Sequence, residues 1–144
     1  METYLKLLAL SIAILGEYLT ALDDQWNICY RGNLQHIMMY AFFAIHPVFE
    51  MLYHYNLKGL PPNLDYISAI LAFAVEAFLF KEHLHGRSHM DVQVHTYLVY
   101  TILLCMLAAI LEWIFKNDVR PAIARATFVM LQGTWFFQVS RLNS

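Results

Sequence analysis

Long apolar runs alternate with short polar stretches along this chain, and the runs have the length of membrane helices. A helix that crosses a bilayer needs roughly 20 mostly apolar residues. Residues 4–20, 34–53, 66–83, 94–115 and 119–139 meet that need. They are too long for barrel strands and lack the period-two alternation that such strands show. In lipid a helix satisfies its own backbone hydrogen bonds, which favours a helical solution. The pattern predicts an all-α fold: a multi-pass transmembrane helical bundle of about five membrane helices, forming one membrane-embedded domain over residues 1–144.

The polar stretches supply the breaks. Asp23, Asp24, Asn27, Arg31 and Gly32 separate the first two runs. Pro61 and Pro62 interrupt the chain before the third, where Asn63 or Asp65 suits the N-cap. Gly86 opens a turn over residues 86–90 between the third and fourth runs. Asp118 is placed to cap the fifth, and Pro121 is tolerated in its first turn. The first run has the place of a signal peptide. However, it opens on Glu2 rather than a basic cluster, and Glu17 and Tyr18 occupy the expected cleavage region. It reads as a retained membrane helix.

Composition sharpens the class. The chain is 60% hydrophobic and 14% charged, against about 45–50% and about 25% in soluble domains. A net charge of −2 leaves no broad basic face for nucleic acid. The expected partners are the lipid bilayer and, within it, further copies of the chain as a homo-oligomer or other membrane proteins. Basic residues divide almost evenly between the two sides, so charge bias does not set the orientation. Cys29 and Cys105 are the only cysteines, and Cys105 sits in an apolar run, which argues against a disulfide framework.

Charged groups inside apolar runs carry the chemistry. A charge near mid-membrane costs about 3 kcal/mol on insertion scales. Glu17, His46, Glu50, Glu76 and Glu112 lie within the runs, with Gln132 and Gln138 as neutral companions. The segment VEAFLFKEHLHGRSHMDVQVH, from Val75 to His95, is the densest. Glu76 and His83 are two turns apart with Phe80 between them, and Asp91 and His95 share a face one turn apart. Glu76, His83, Asp91 and His95 are therefore expected to converge near one membrane boundary. Glu76, His83 and His95 would suit a divalent metal such as zinc, or iron or manganese; the same groups suit a proton relay. The competing reading is a structural hydrogen bond between helices, with His85 and His89 simply wet at the interface. Neither His-Glu-x-x-His nor Cys-x-x-Cys is present, and no catalytic residue is assigned.

Two further sets read as packing. His46, Glu50 and His54 recur every fourth residue beside Pro47, which suggests an intrahelical His–Glu hydrogen bond on a bent helix. On the last helix, Gln132, Gly133, Trp135 and Gln138 suggest close approach and hydrogen bonds between helices.

Three blocks resemble the transmembrane protein 45 family. They are NLQHIMMYAFF from Asn33 to Phe43, the Glu76–Arg87 block with Asp91 and His95, and Leu111-Glu112 with the Leu131–Gln138 block. The resemblance implies a multi-pass integral membrane protein with no agreed chemical activity. It carries over His36, Glu76, His83, His85, Asp91, His95, Glu112, Gln132 and Gln138, and Glu50 falls on an acidic position. His36 and Glu112 thereby join Glu76, His83, Asp91 and His95 as the candidate polar cluster. His46, Pro47 and His54 depart from the family pattern. Against the family this chain resembles a shortened member, with a helix fewer at each end. The expected role is a membrane scaffold, interaction or trafficking component rather than an enzyme. The alternatives are a metal-dependent intramembrane hydrolase and a proton-coupled carrier.

Overall fold

A computed structural model describes residues 1–29, 31–82 and 88–142. Among the described residues the chain is helical without strands. Its elements are α1 (Glu2–Ala21), α2 (Arg31–His54), α3 (Leu64–Glu82), α4 (His89–Ile114) and α5 (Val119–Leu142). Of these, α1 and α4 combine the length and apolar composition needed to cross a membrane. The chain divides into two compact units, Met1–Ala72 and Phe73–Ser144, and the division falls inside α3.

In the first unit α1 and α2 pack as an antiparallel pair. Polar links fix their register at both ends. Lys6 Nζ lies 3.3 Å from Glu50 Oε1, and Thr3 Oγ1 donates to Glu50 Oε2 at 3.2 Å. At the other end His36 Nδ1 is 3.2 Å from Glu17 Oε1, and Asn33 Nδ2 donates to Thr20 Oγ1 at 2.7 Å. The link between the helices is held by one side chain. The Asp23 carboxylate accepts from the backbone N–H groups of Gln25 and Asn27, both at 2.8 Å. Leu22 and Ile28 then pair across the loop, with exposed Trp26 at its tip in the left-handed region. Those backbone donors, Asn27 foremost, hold the Asp23 carboxyl below the usual carboxylate range.

Asn56 ends α2. It adopts φ 51°, a conformation that asparagine tolerates. Its N–H bonds the carbonyl of Tyr53 at 3.0 Å, and the Leu57 N–H bonds that of Leu52 at 3.3 Å. This is the Schellman arrangement, which satisfies carbonyls that the helix end would orphan. The Tyr53 hydroxyl then organises the next start: it donates to the Pro61 carbonyl at 2.5 Å and accepts from the Leu64 N–H at 3.0 Å. Thus α3 is capped by a tyrosine from the preceding helix, and Asp65 lies in its first turn.

In the second unit α4 and α5 form an antiparallel hairpin. The buried side of α4 runs His95, Leu98, Ile102, Cys105, Ala109, with steps alternating between three and four residues. That spacing keeps one stripe facing a neighbour at shallow crossing angle. Cys105, Ala108 and Ala109 are small, which lets the neighbouring backbone come close.

The apolar run alone starts the fourth helix at Val94; the structure starts it at His89. Ser88 is the reason: its Oγ accepts from the Asp91 N–H at 3.4 Å, and Asp91 adds negative charge to the first turn. These polar residues extend the helix beyond its apolar segment. Asp118 caps α5, its Oδ1 accepting from the Arg120 N–H at 3.0 Å. The Arg120 guanidinium closes on the same carboxylate and holds the Asp118 carboxyl below its usual range. A depressed carboxyl contributes stability that is complete above its unfolded value and lost as pH falls through the folded one. The Arg120 amide should therefore stay protected from hydrogen exchange at neutral pH and lose protection only under acid conditions, below the ordinary aspartate range. Ser88→Ala should cost about 1 kcal/mol in detergent unfolding while Ser88→Asp retains most of the stability. Equal losses in both variants would count against the cap.

Candidate functional site

The densest buried polar group lies in the second unit, on α3, α4 and α5. Glu76 is only 2% exposed, in a core that also holds Phe73, Phe80, Leu98, Ile102 and Cys105. Its inward direction follows from the spacing, since Phe73, Glu76 and Phe80 recur on one face of α3. Opposite it is Gln132 of α5, also buried. The Gln132 amide donates through Nε2 to Glu76 Oε1. Its carbonyl oxygen accepts from the Cys105 thiol, with Sγ 3.5 Å away. One amide thereby joins three helices. The amide nitrogen is the end that faces Glu76, as an accepting carboxyl oxygen requires. The second carboxylate oxygen, Glu76 Oε2, is buried without a hydrogen-bond partner among the described residues.

The hairpin repeats this pairing two turns away. Glu112 is seven residues beyond Cys105, and Arg125 is seven residues before Gln132. Arg125 Nε donates to Glu112 Oε2 at 2.5 Å, and Nη2 donates to Oε1 at 3.3 Å. This two-pronged geometry is the strong form of a charged hydrogen bond. At the other end Trp135 Nε1 donates to the Val94 carbonyl at 3.1 Å, and Tyr97 meets the indole edge-on at 6.2 Å. Phe80 packs edge-on against Phe136 with centroids 5.2 Å apart and lies 6.2 Å from the His95 ring. His95 is buried, and its Nδ1 reaches the Asp91 carboxylate at 3.0 Å and the Asp91 carbonyl at 2.8 Å.

The structure thus brings Glu76 to Gln132 and Cys105, and His95 to Asp91. Glu112 pairs with Arg125. His36 belongs to the first unit and pairs with Glu17. His83, with His85, Gly86 and Arg87, lies outside the described residues, so the trio of Glu76, His83 and His95 is not assembled from them. Among the described residues no three His, Cys, Asp or Glu side chains gather to hold a metal ion. His89 is the exposed first residue of α4. Of the packing residues read from the last helix, Gln132 and Trp135 bond to neighbouring helices. Gln138 is exposed. A Cβ added at Gly133 would meet nothing within 4 Å among the described residues.

On α2 the intrahelical bond is present, with His46 Nε2 3.1 Å from Glu50 Oε1. It is part of something wider. His46 Nδ1 lies 2.9 Å from the Asp65 carbonyl on α3, and Glu50 also binds Thr3 and Lys6. His54 takes no part in this group; its ring packs on Tyr55. Sequence reasoning missed Cys105 and Arg125 as members of polar pairs. The usable signal was positional: both stand at heptad distance from residues already singled out, mirrored about the turn between α4 and α5.

Leaving one member of a buried pair alone costs about 1–3 kcal/mol, and more when it is charged. Gln132→Leu should therefore destabilise the detergent-solubilised protein by that amount. The double variant Glu76→Leu/Gln132→Leu should recover most of the loss, because both polar groups then leave together. Additive losses in a thermal-unfolding cycle would rule out the pair as a coupled unit.

The comparison with known proteins falls on this same region. No solved structure matches the chain. A family of unknown function, DUF716, matches residues 62–142, which hold α3, α4 and α5 with every member of the Glu76 and Glu112 groups. The match covers more than half of the chain, and the chain belongs to that family.

Proposed function

We propose that this chain is a multi-pass integral membrane protein of the transmembrane protein 45 type, acting as a membrane scaffold, interaction or trafficking component without chemistry of its own. One observation carries the reading: four acidic side chains within the helices, Glu17, Glu50, Glu76 and Glu112, are each paired with a side chain of another helix. Glu76 binds Gln132, Glu112 binds Arg125, Glu17 binds His36, and Glu50 binds Lys6, Thr3 and His46. All but the His46–Glu50 pair join separate helices, and pairing lowers the cost of placing polar groups among lipid, where an unpaired one is expensive. The outward positions are apolar by contrast, with Leu8, Ile12, Phe78, Leu103, Leu107 and Met130 all exposed. A helix of 26 residues such as α4 rises about 39 Å at about 1.5 Å per residue, enough to cross the roughly 30 Å core.

A second reading, a proton-coupled carrier, takes support from Glu76 Oε2, a buried carboxylate oxygen without a partner among the described residues. The two readings separate in vesicles. A scaffold keeps localisation and partner binding in Glu76→Gln, because the amide still accepts from Gln132, and it moves no protons. A carrier acidifies dye-loaded vesicles in the wild type and stops doing so in Glu76→Gln.

Membrane insertion itself is checked by alkaline carbonate. The protein should stay in the pellet, and cysteine labelling of engineered sites at residues 24 and 117 should place both loops outside the hydrocarbon. Extraction into the supernatant would overturn the multi-pass reading.

A further inference from the structure

We infer that His46 is a proton-gated latch between α2 and the start of α3, closed when its imidazole carries two protons and open when it carries one. All of its partners lie in the first unit. His46 Nδ1 lies 2.9 Å from the Asp65 carbonyl oxygen on α3. Its Nε2 lies 3.1 Å from Glu50 Oε1, one turn along its own helix. A carbonyl oxygen and a carboxylate oxygen both accept and neither donates. Neutral imidazole has one N–H and one lone pair, so it can satisfy one of the two. Only the imidazolium presents a proton to both.

The charges around the ring point the same way. From α1, Lys6 Nζ stands 3.3 Å from Glu50 Oε1 and 2.9 Å from Glu2 Oε1. One cation therefore serves two carboxylates. A second positive charge at His46 balances the group, with two charges of each sign. From α3 the ring meets the Asp65 carbonyl.

The neutral ring must give up one contact, and the surroundings decide which. A hydrogen bond to a charged oxygen is roughly twice as strong as one to a neutral oxygen. The remaining proton therefore stays on Nε2, toward Glu50. The Nδ1 lone pair then faces the Asp65 carbonyl and repels it. That carbonyl also accepts from Ser68 Oγ at 2.8 Å, so release from His46 does not orphan it. The contact within α2 holds and the contact between helices opens. Tyr53, seven residues further along α2, keeps its bonds to Pro61 and Leu64 with either form of the ring. The first turn of α3 thus loosens about a tether and does not detach.

The test is hydrogen exchange of the full chain in detergent, with rates corrected for the intrinsic effect of pH. Measurements at about pH 5.5 and about pH 8 bracket the range in which imidazole titrates. Amides of residues 67–70, in the first turn of α3, should be several-fold less protected at the higher pH. His46→Gln should abolish that difference, and His54→Gln should keep it. Tyr53→Phe should lower protection at both pH values and leave the difference in place. Nitrogen NMR of the wild-type His46 ring gives a second measurement that needs no variant to fold. Both ring nitrogens should be protonated at the lower pH and Nε2 alone at the higher. Equal protection at the two pH values, a difference that survives His46→Gln, a ring with one proton throughout, or a proton on Nδ1 at the higher pH would each overturn the latch.

Discussion

Gln132 reaches Glu76 on one helix with its nitrogen and Cys105 on another with its oxygen. In water such bonds are nearly neutral exchanges, because each group would otherwise bond to solvent. In an apolar interior no such exchange exists, and a lone carboxylate or amide is strongly disfavoured. The polar groups of α3, α4 and α5 therefore choose the packing. Apolar side chains slide past one another at little cost, but only one register lets Gln132 meet both partners while Arg125 meets Glu112. The same reasoning holds in the first unit, where Glu50 and Glu17 fix the two ends of the α1–α2 pair.

This gives a physical account of why a chain so rich in apolar residues keeps acidic side chains inside its helices. Each is a constraint on helix order and rotation that leucine and phenylalanine cannot supply. The aromatic residues complement it. Phe80 closes against Phe136 and His95, and Trp135 binds the Val94 carbonyl, so the end of the cluster remote from Glu112 is covered by rings.

The helical class and the five helices were legible because a long apolar run has few other solutions. Helix ends were less so. Ser88 begins α4 five residues ahead of its apolar segment, and Asn56 ends α2 through left-handed geometry, both local effects that hydropathy does not register. Pairs on one helix were readable from spacing, as with Asp91 and His95 or His46 and Glu50. Partners on different helices were not. Glu76 was read toward its own helix end, at His83, and the described contact is with Gln132, fifty-six residues away. That choice depends on the rotation of α5 about its axis, which no local pattern encodes.

The two rungs of the α4–α5 hairpin have a consequence for how this segment can change over time. Glu112–Arg125 and Cys105–Gln132 are both set seven residues apart on each strand of the hairpin. One residue inserted between Arg125 and Gln132 would turn the later side chains by about 100° and break the upper rung while leaving the lower intact. Length variation among descendants of this sequence should therefore collect in the turn around residues 115–118, and be rare within the heptads on either side.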